Sequence, residues 1–211
     1  MENRTHTWHR RVVGQQVERV LGDVYRLPIL ANFYLAGGTG LALHFGHRRS
    51  EDLDFFSPEP VDADALIQEM QTLSDFSVVA KAAETLHATV QGVKLSFLGY
   101  AYPVLFPFES FLGIPVADAR DIACMKLAAI AGRGTKRDFV DLYVVSKRYG
   151  LRQLLEWFKQ KYARANYSTV HLLKSLTYFE EAEQEPMPHM LEALSWSDVK
   201  AFFTSEAPRL T

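Results

Sequence analysis

The order of predicted elements along the chain constrains the fold more than any other feature of the sequence. Short apolar and β-prone runs separated by Gly and Pro fill the first half, and amphipathic helical patterns fill the second half from Asp118 onward. Strands followed by helices in this order are typical of an α+β or α/β protein. We therefore predict a small mixed sheet flanked by helices over 1–115, followed by a helical half over 116–211 that completes the functional site.

Individual elements follow from periodicity and from turn residues. Val17, Val20 and Val24 recur at three- and four-residue intervals, which predicts a leading helix over 8–27. In the rest of the first half we predict strands at 32–36, 52–56, 77–81, 88–90 and 93–100 and helices at 39–45 and 62–73. In the second half we predict helices at 118–131, 136–149, 151–162, 168–183 and 197–203.

Composition excludes several classes of protein. The chain has 211 residues, of which 48% are hydrophobic and 12% aromatic, enough to bury a core and to exclude global disorder. A net charge of −2 argues against general coating of nucleic acid. The apolar stretch 122–131 contains Lys126 and is too short to cross a membrane, and the polar residues 1–6 predict neither a secretory nor a transit peptide. Cys124 stands alone, so we expect a reducing, cytoplasmic environment.

Two carboxylates, Asp52 and Asp54, stand two residues apart in the second predicted strand. Side chains alternate across a strand, so we expect both on one face. Adjacent carboxylates repel each other unless a cation lies between them, and Mg²⁺ prefers oxygen ligands of this kind. The alternative is that both are simply exposed at a sheet edge.

A glycine turn, Gly37-Gly38-Thr39, lies between a predicted strand and a predicted helix ahead of this pair. Free backbone N–H groups at such a helix N-terminus can hold phosphate oxygens, although the same glycines would also suit tight packing of strand and helix. A small basic and polar cluster follows, made of His44, His47, Arg48, Arg49 and Ser50. Cation donors, backbone amides and carboxylates together are what a triphosphate with its metal requires.

The helical half carries its own candidates. Lys126 lies on a largely apolar predicted helix, where its ammonium group needs either a partner anion or an extended path to the surface. Asp138 and Asp141 are three residues apart on the next predicted helix and share a face. They could therefore address one site, or pair with Lys136 and Arg137 at the surface.

These residues carry a resemblance to a known family. The segment 37–56, with its His-Arg-X-Ser-X-Asp-Leu-Asp-Phe-Phe spelling, is similar to the first motif of the AbiEii/AbiGii toxin family. That family is a branch of the nucleotidyltransferases that share the DNA polymerase beta catalytic core. The resemblance continues in the same order with Lys126–Ile130, Arg133 and Arg137–Tyr143.

The resemblance implies a Mg²⁺-dependent nucleotidyltransferase that moves a nucleoside monophosphate from a nucleoside triphosphate to an acceptor hydroxyl. The implied acceptor is an RNA such as a tRNA 3′ end, and the implied protein partner is a cognate antitoxin. Asp52 and Asp54 would bind the metal, and Lys126 would neutralise charge in the transition state. Asp141, or next Asp138, would orient or deprotonate the acceptor. The phosphates would be held by Gly37, Gly38, Thr39, Arg48 and Ser50.

One position departs from the wider superfamily. Many polymerase-beta-type enzymes place a third carboxylate on a later strand to deprotonate the attacking hydroxyl, and the matching strand here carries Ser96. Either a helical aspartate substitutes, which we favour, or the chemistry is weakened.

The same residues leave other functions open. The alternative from another class is a catalytically silent nucleotide- or protein-binding module on the same fold. The glycine turn disfavours a metal-dependent glycosyltransferase, and Phe56 disfavours a haloacid-dehalogenase-type phosphatase. A P-loop protein would need Gly-Lys-Ser/Thr after the glycines, which this chain lacks.

Overall fold

A mixed sheet of seven strands is the main element of the protein's computed structural model, which describes residues 7–210. Residues 1–6, for which we predicted neither a secretory nor a transit peptide, lie outside the described residues. The strands are β1 (Tyr34–Leu35), β2 (Leu53–Ser57), β3 (Phe76–Ala82), β4 (Thr85–Val90), β5 (Val93–Gly99), β6 (Glu109–Phe111) and β7 (Ile114–Val116). Their order in the sheet is β3-β4-β5-β2-β1-β7-β6. This mixed sheet confirms the predicted fold class.

Strand directions make the sheet mixed. Strand β2 pairs antiparallel with β1 and parallel with β5, and β1 pairs parallel with β7. The hairpins β3–β4, β4–β5 and β6–β7 are antiparallel. Strand β2 therefore lies in the middle of the sheet, with a neighbour on each side.

Helices account for most of the remaining chain. They are α1 (Gln15–Tyr25), α2 (Gly37–Phe45), α3 (Ala63–Met70), α4 (Ala119–Arg133), α5 (Lys136–Tyr149), α6 (Leu151–Lys161), α7 (Thr169–Ser175), α8 (Glu180–Glu183) and α9 (Trp196–Glu206). Short 3-10 helices lie at Arg10–Val12, Pro28–Asn32 and Ala207–Leu210. Side-chain hydrogen bonds cap the N-termini of several helices. Asp62 accepts from backbone N–H groups of α3, and Thr135 and Ser195 form capping boxes at the starts of α5 and α9. Within residues 7–210, no helix combines the length and apolar character needed to cross a membrane.

Several boundaries differ from the predictions. The leading helix begins only after Gly14, and the single helix predicted over 168–183 is two helices, α7 and α8. Phe179, between them, packs its ring 5.1 Å from that of Phe139 on α5, so an aromatic contact fixes this break. Strands β6 and β7 were not predicted. Their turn residues Leu112 and Gly113 both have positive φ, 53° and 84°, and leucine does not signal such a turn.

The chain forms two compact units, and each takes residues from more than one stretch of sequence. The first, the sheet unit, contains the described residues up to Gly46 together with Ser50–Tyr102 and Phe108–Ala117. Its core includes Leu53 and Phe55 of β2 and Leu95 and Phe97 of β5, all on one face of the sheet.

The second, the helical unit, contains His47–Arg49, Pro103–Pro107 and the described residues from Asp118 onward. Helix α4 packs against α5, α6 and α7, and α5 packs against α9. Phe139 of α5 and Phe203 of α9 are fully buried there, with ring centroids 5.6 Å apart. Both units thus have an apolar core of their own.

Candidate active site

Gly37 brings the start of helix α2 against the carboxylate of Asp54. Its φ is +60°, and a Cβ added to it would overlap Asp54 Oδ2. The backbone N–H of Ala36 donates to the Asp54 carbonyl at 3.0 Å, so both the main chain and the side chain of Asp54 meet this turn. Only glycine provides this combination of backbone angle and free space.

Thr39 ties the first turn of α2 to the segment that leads into β2. Thr39 Oγ1 hydrogen-bonds to Ser50 Oγ at 2.8 Å and to the carbonyl oxygen of Asp52. Thr39 is buried and Ser50 nearly so, at 1% and 9% exposure. In this geometry both hydroxyls hold the backbone that carries Asp52, and their predicted contact with phosphate stays a prediction.

The two strand carboxylates occupy slightly different settings. Asp54 lies within β2, whereas Asp52 immediately precedes that strand, and both side chains are partly exposed. The strand that we predicted over 52–56 therefore begins one residue later in the structure, at Leu53. Within the sheet unit, the first turn of α2 therefore lies beside the segment that carries the two carboxylates. The predicted site residues that meet here are Gly37, Gly38, Thr39, Ser50, Asp52 and Asp54.

Asp54 is aligned with Ser96 on the neighbouring strand. The parallel register of β2 and β5 pairs the Cα of Asp54 with that of Ser96, and Leu53 and Phe55 pair with the buried Leu95 and Phe97. Ser96 thus stands directly beside the second carboxylate, on the face opposite the core. This is the position at which the sequence led us to look for a third acid.

A buried ion cluster lies in the helical unit around Asp141 of α5, which has no exposed surface. Asp141 Oδ1 accepts from Arg48 Nε at 2.7 Å and from His47 Nε2 at 2.8 Å. Asp141 Oδ2 accepts from Arg48 Nη2 and lies near Lys126 Nζ of α4, each at 2.8 Å. One carboxylate therefore gathers three basic side chains.

Asp138 is the second carboxylate of this cluster. Its Oδ1 accepts from Lys126 Nζ at 2.8 Å, and its Oδ2 accepts from the hydroxyl of Thr135 at 2.7 Å. Asp138 is therefore both the partner of Lys126 and part of the capping box that begins α5. Lys126, on its largely apolar helix, therefore has two anionic partners, Asp138 and Asp141.

Ion pairing affects the pKa values in this cluster more than burial does. Burial alone would raise the pKa of Asp141, but Lys126 and Arg48 hold it well below its usual range. Burial would likewise lower the pKa of Lys126, but Asp141 and Asp138 raise it instead. Both groups are thus charged at neutral pH.

The cluster bears on the roles predicted for Asp141 and Arg48. A general base must reach the proton that it removes and must have a pKa near the working pH. Asp141 is enclosed by three basic groups and is held ionised, so its geometry favours the positioning of Arg48 and Lys126 over proton transfer. Arg48 is buried as well, at 3% exposure, and its predicted contact with phosphate stays a prediction. The sequence did not single out His47 as a partner of Asp141, because 94 residues separate them.

The carboxylates fit a metal that arrives with its substrate. Over residues 7–210, no three His, Cys, Asp or Glu side chains are grouped as metal ligands. Mg²⁺ is commonly held by one or two carboxylates together with substrate phosphates, and less often by a cage made of protein alone. Asp52 and Asp54, beside the N-terminus of α2, carry hard oxygen donors of the kind that such a shared site uses.

Comparison with solved structures identifies the fold. JHP933 of Helicobacter pylori superposes with a TM-score of 0.57 at 17% identity, covering 94% of this chain and 93% of that one. MenT4, a nucleotidyltransferase toxin of Mycobacterium tuberculosis H37Rv, gives a TM-score of 0.56 at 16% identity, with 90% and 83% covered. The fold is therefore that of the nucleotidyltransferases.

Sequence comparison then identifies the family. The family model described as "Nucleotidyl transferase AbiEii toxin, Type IV TA system" matches residues 19–209, so the chain belongs to that family. A protein of Aquifex aeolicus (strain VF5) is 39% identical over 199 residues, which is 92% of this chain and 95% of that protein. The chain is thus a nucleotidyltransferase of the toxin type, as its resemblance to the AbiEii/AbiGii family implied.

Proposed function

We propose that the protein is a Mg²⁺-dependent toxin that transfers a nucleoside monophosphate from a nucleoside triphosphate to a hydroxyl group of an RNA, with a tRNA 3′ end as the first acceptor to test. The observation that carries this proposal is the packing of the Asp54 carboxylate against Gly37 at the N-terminus of α2. Carboxylates for a metal and backbone N–H groups for phosphate are the two requirements of triphosphate binding.

Each group in the sheet unit has a proposed task. Asp52 and Asp54 bind the metal that the triphosphate brings, and the metal supplies charge neutralisation on the phosphates. The first turn of α2, with Gly37 and Gly38, binds phosphate oxygens through its backbone. Thr39 and Ser50 keep Asp52 in place, and their hydroxyls are our candidates for an added phosphate contact.

The helical unit contains Lys126, Arg48, Asp138 and Asp141, and these residues have proposed tasks as well. We assign Lys126 the neutralisation of developing charge, on the strength of its place in the family's later motif. Asp138 and Asp141 keep its ammonium charged and fix its direction, at 2.8 Å each. Arg48 is our candidate for phosphate contact, and the bidentate pair with Asp141 fixes its guanidinium plane.

The test is label transfer. The full chain is incubated with Mg²⁺, total RNA and each of the four α-labelled nucleoside triphosphates in turn. We expect label in RNA with one or more of them, and none with Asp54→Asn. Glu51→Gln is the matched control, since Glu51 is an exposed acid next to Asp52, and it should transfer at the parent rate.

Ser96 favours a second candidate, the catalytically silent nucleotide-binding module, because it stands where a third acid could act. Nucleotide binding without any transfer to RNA would support that module and overturn the transferase proposal. The proposed partner is a cognate antitoxin, in keeping with the family's description. Co-expression with the product of the neighbouring gene should relieve growth arrest, whereas Asp54→Asn alone should cause no arrest.

A further inference from the structure

A row of three polar residues crosses the centre of the sheet. Asp54 of β2 pairs with Ser96 of β5, and Ser96 pairs in turn with His87 of β4. The flanking residues Leu95, Phe97 and Leu86 are buried on the other face, which places the three polar side chains together on the opposite face.

His87 is directed along this row toward Asp54. Its Nδ1 lies 3.2 Å from Ser96 Oγ in a partly buried hydrogen bond. Neighbouring strands are about 4.8 Å apart, so the backbone of His87 is about 10 Å from that of Asp54, with Ser96 halfway between. On its other side His87 pairs with Ala80 of β3, whose side chain is a single methyl group.

Few charged groups share this face with His87. In the register of the described strands they are Asp54 on β2 and Lys94 on β5, and Lys94 is exposed. Lys81 of β3 pairs with the buried Leu86 and forms an ion pair with Asp64, so it belongs to the other face. The imidazole, which is hydrogen-bonded to Ser96 Oγ, is therefore the group on this face that is placed to exchange a proton with Ser96.

We propose that Ser96 and His87 form the proton relay of the transfer reaction, in place of a third carboxylate. The inference rests on the proposed function, because it needs an acceptor hydroxyl beside Asp54. It makes His87 the general base and leaves Asp141 to organise the cluster in the helical unit.

The transfer moves one nucleotidyl group and one proton. The acceptor oxygen attacks the α-phosphorus of the triphosphate, a new P–O bond forms, and the bond to the leaving pyrophosphate breaks. The acceptor proton passes to Ser96 Oγ, while Ser96 gives its own proton to His87 Nδ1. The products are the nucleotidylated RNA, pyrophosphate and an imidazolium group that returns its proton to solvent.

The decisive variant is His87→Asn, which keeps a polar atom near the place of Nδ1 but has no group that titrates near neutrality. The transfer rate is measured in single turnover with total RNA across pH 5–8, and nucleotide affinity is measured separately with Mg²⁺ and no RNA. Removing a positioned general base typically costs about a hundred- to ten-thousand-fold in rate, so we expect at least the lower figure, with nucleotide affinity unchanged. The pH profile of the rate should change as well, which the loss of a purely structural contact would not cause.

Two further variants separate a relay from a structural contact. Ser96→Asp in the His87→Asn background should restore most of the rate, because a carboxylate then stands beside Asp54. Thr89→Ala, on the same strand and face as His87, is the matched control and should behave as the parent. Transfer by His87→Asn at the parent rate, or an equal loss of rate and nucleotide affinity, would overturn the relay. Absence of transfer by the parent protein would instead overturn the proposed function.

Discussion

Lys126 Nζ lies 2.8 Å from Asp141 Oδ2, and that carboxylate has no exposed surface. The pair joins α4 to α5, and Arg48 donates to both oxygens of the same carboxylate. Breaking such a buried pair from one side leaves an uncompensated charge, which costs far more than the net value of the pair. We therefore expect the cluster to be highly sensitive to a neutral substitution.

Asp141→Asn should strongly destabilise the protein. It leaves Lys126 and Arg48 buried with one carboxylate fewer, and breaking a buried pair typically costs about 3–5 kcal/mol. Glu156→Gln is the control, because the exposed pair of Glu156 with Lys159 is of a kind that contributes about 0–1 kcal/mol. Urea unfolding of both variants measures the difference, and equal losses would contradict the assigned role of the cluster.

The stabilisation from Asp141 should depend on pH in a defined direction. Its pKa is lowered on folding, because Lys126 and Arg48 outweigh the effect of burial, so its contribution is present above the ordinary carboxyl pKa and is lost as pH falls. The pKa of Lys126 is raised, so its contribution persists until pH exceeds the ordinary lysine value of about 10.4. Melting temperatures of parent and Asp141→Asn should thus differ by a constant amount from about pH 5 to 10. The difference should shrink as pH falls below about 4 and vanish only below the lowered pKa of Asp141. A gap that did not shrink in acid would mean that Asp141 acts through packing and not through charge.

Gly37→Ala should abolish transfer, whereas Gly92→Ala should not. Both glycines have positive φ, +60° and +78°, so each substitution costs about 1–2 kcal/mol of backbone strain. At Gly37 the new Cβ also overlaps Asp54 Oδ2, whereas at Gly92 it meets open space. Label transfer and melting curves for the pair separate displacement of Asp54 from strain alone. If the two variants were equally active, the contact between Gly37 and Asp54 would have no functional role.

Mg²⁺ and nucleoside triphosphate should each strengthen the binding of the other. Two carboxylates beside a phosphate-binding helix start hold the metal better when phosphate oxygens complete its coordination, and such coupling is reciprocal. Calorimetric titration of nucleotide with and without Mg²⁺ measures it. Asp52→Asn and Asp54→Asn should remove the coupling, while the metal-free melting temperature stays equal or rises slightly as repulsion is relieved. Equal nucleotide affinity with and without Mg²⁺ in the parent protein would contradict a metal site at these residues.

Local patterns predicted the parts of the structure that depend on local physics. The helix that begins at Asp62 and the alternation of residues around Asp54 are visible in the sequence because they involve neighbours in the chain. The helix predicted over 136–149 matches α5. The class of protein also followed from residues 37–56, where a glycine turn and the two carboxylates are spaced closely enough to be recognised.

Other features depend on pairings that periodicity does not encode. The alignment of His87 with Ser96 results from the register of two hairpin strands, and a shift of one residue would have put His87 on the other face. The Arg48 and Asp141 pair joins residues 93 apart in sequence, and the break between α7 and α8 depends on Phe139. Such contacts are set by tertiary packing and could not be predicted from the chain alone.

The tripeptide His47–Arg49 has a consequence for how this protein can be divided. It belongs to the helical unit although its immediate neighbours, Gly46 and Ser50, belong to the sheet unit. A fragment that begins at Asp118 would lack Arg48 and so would keep a buried anion without its guanidinium partner. The two units are therefore not interchangeable modules, and recombination at a single point in the gene could not transplant either one intact.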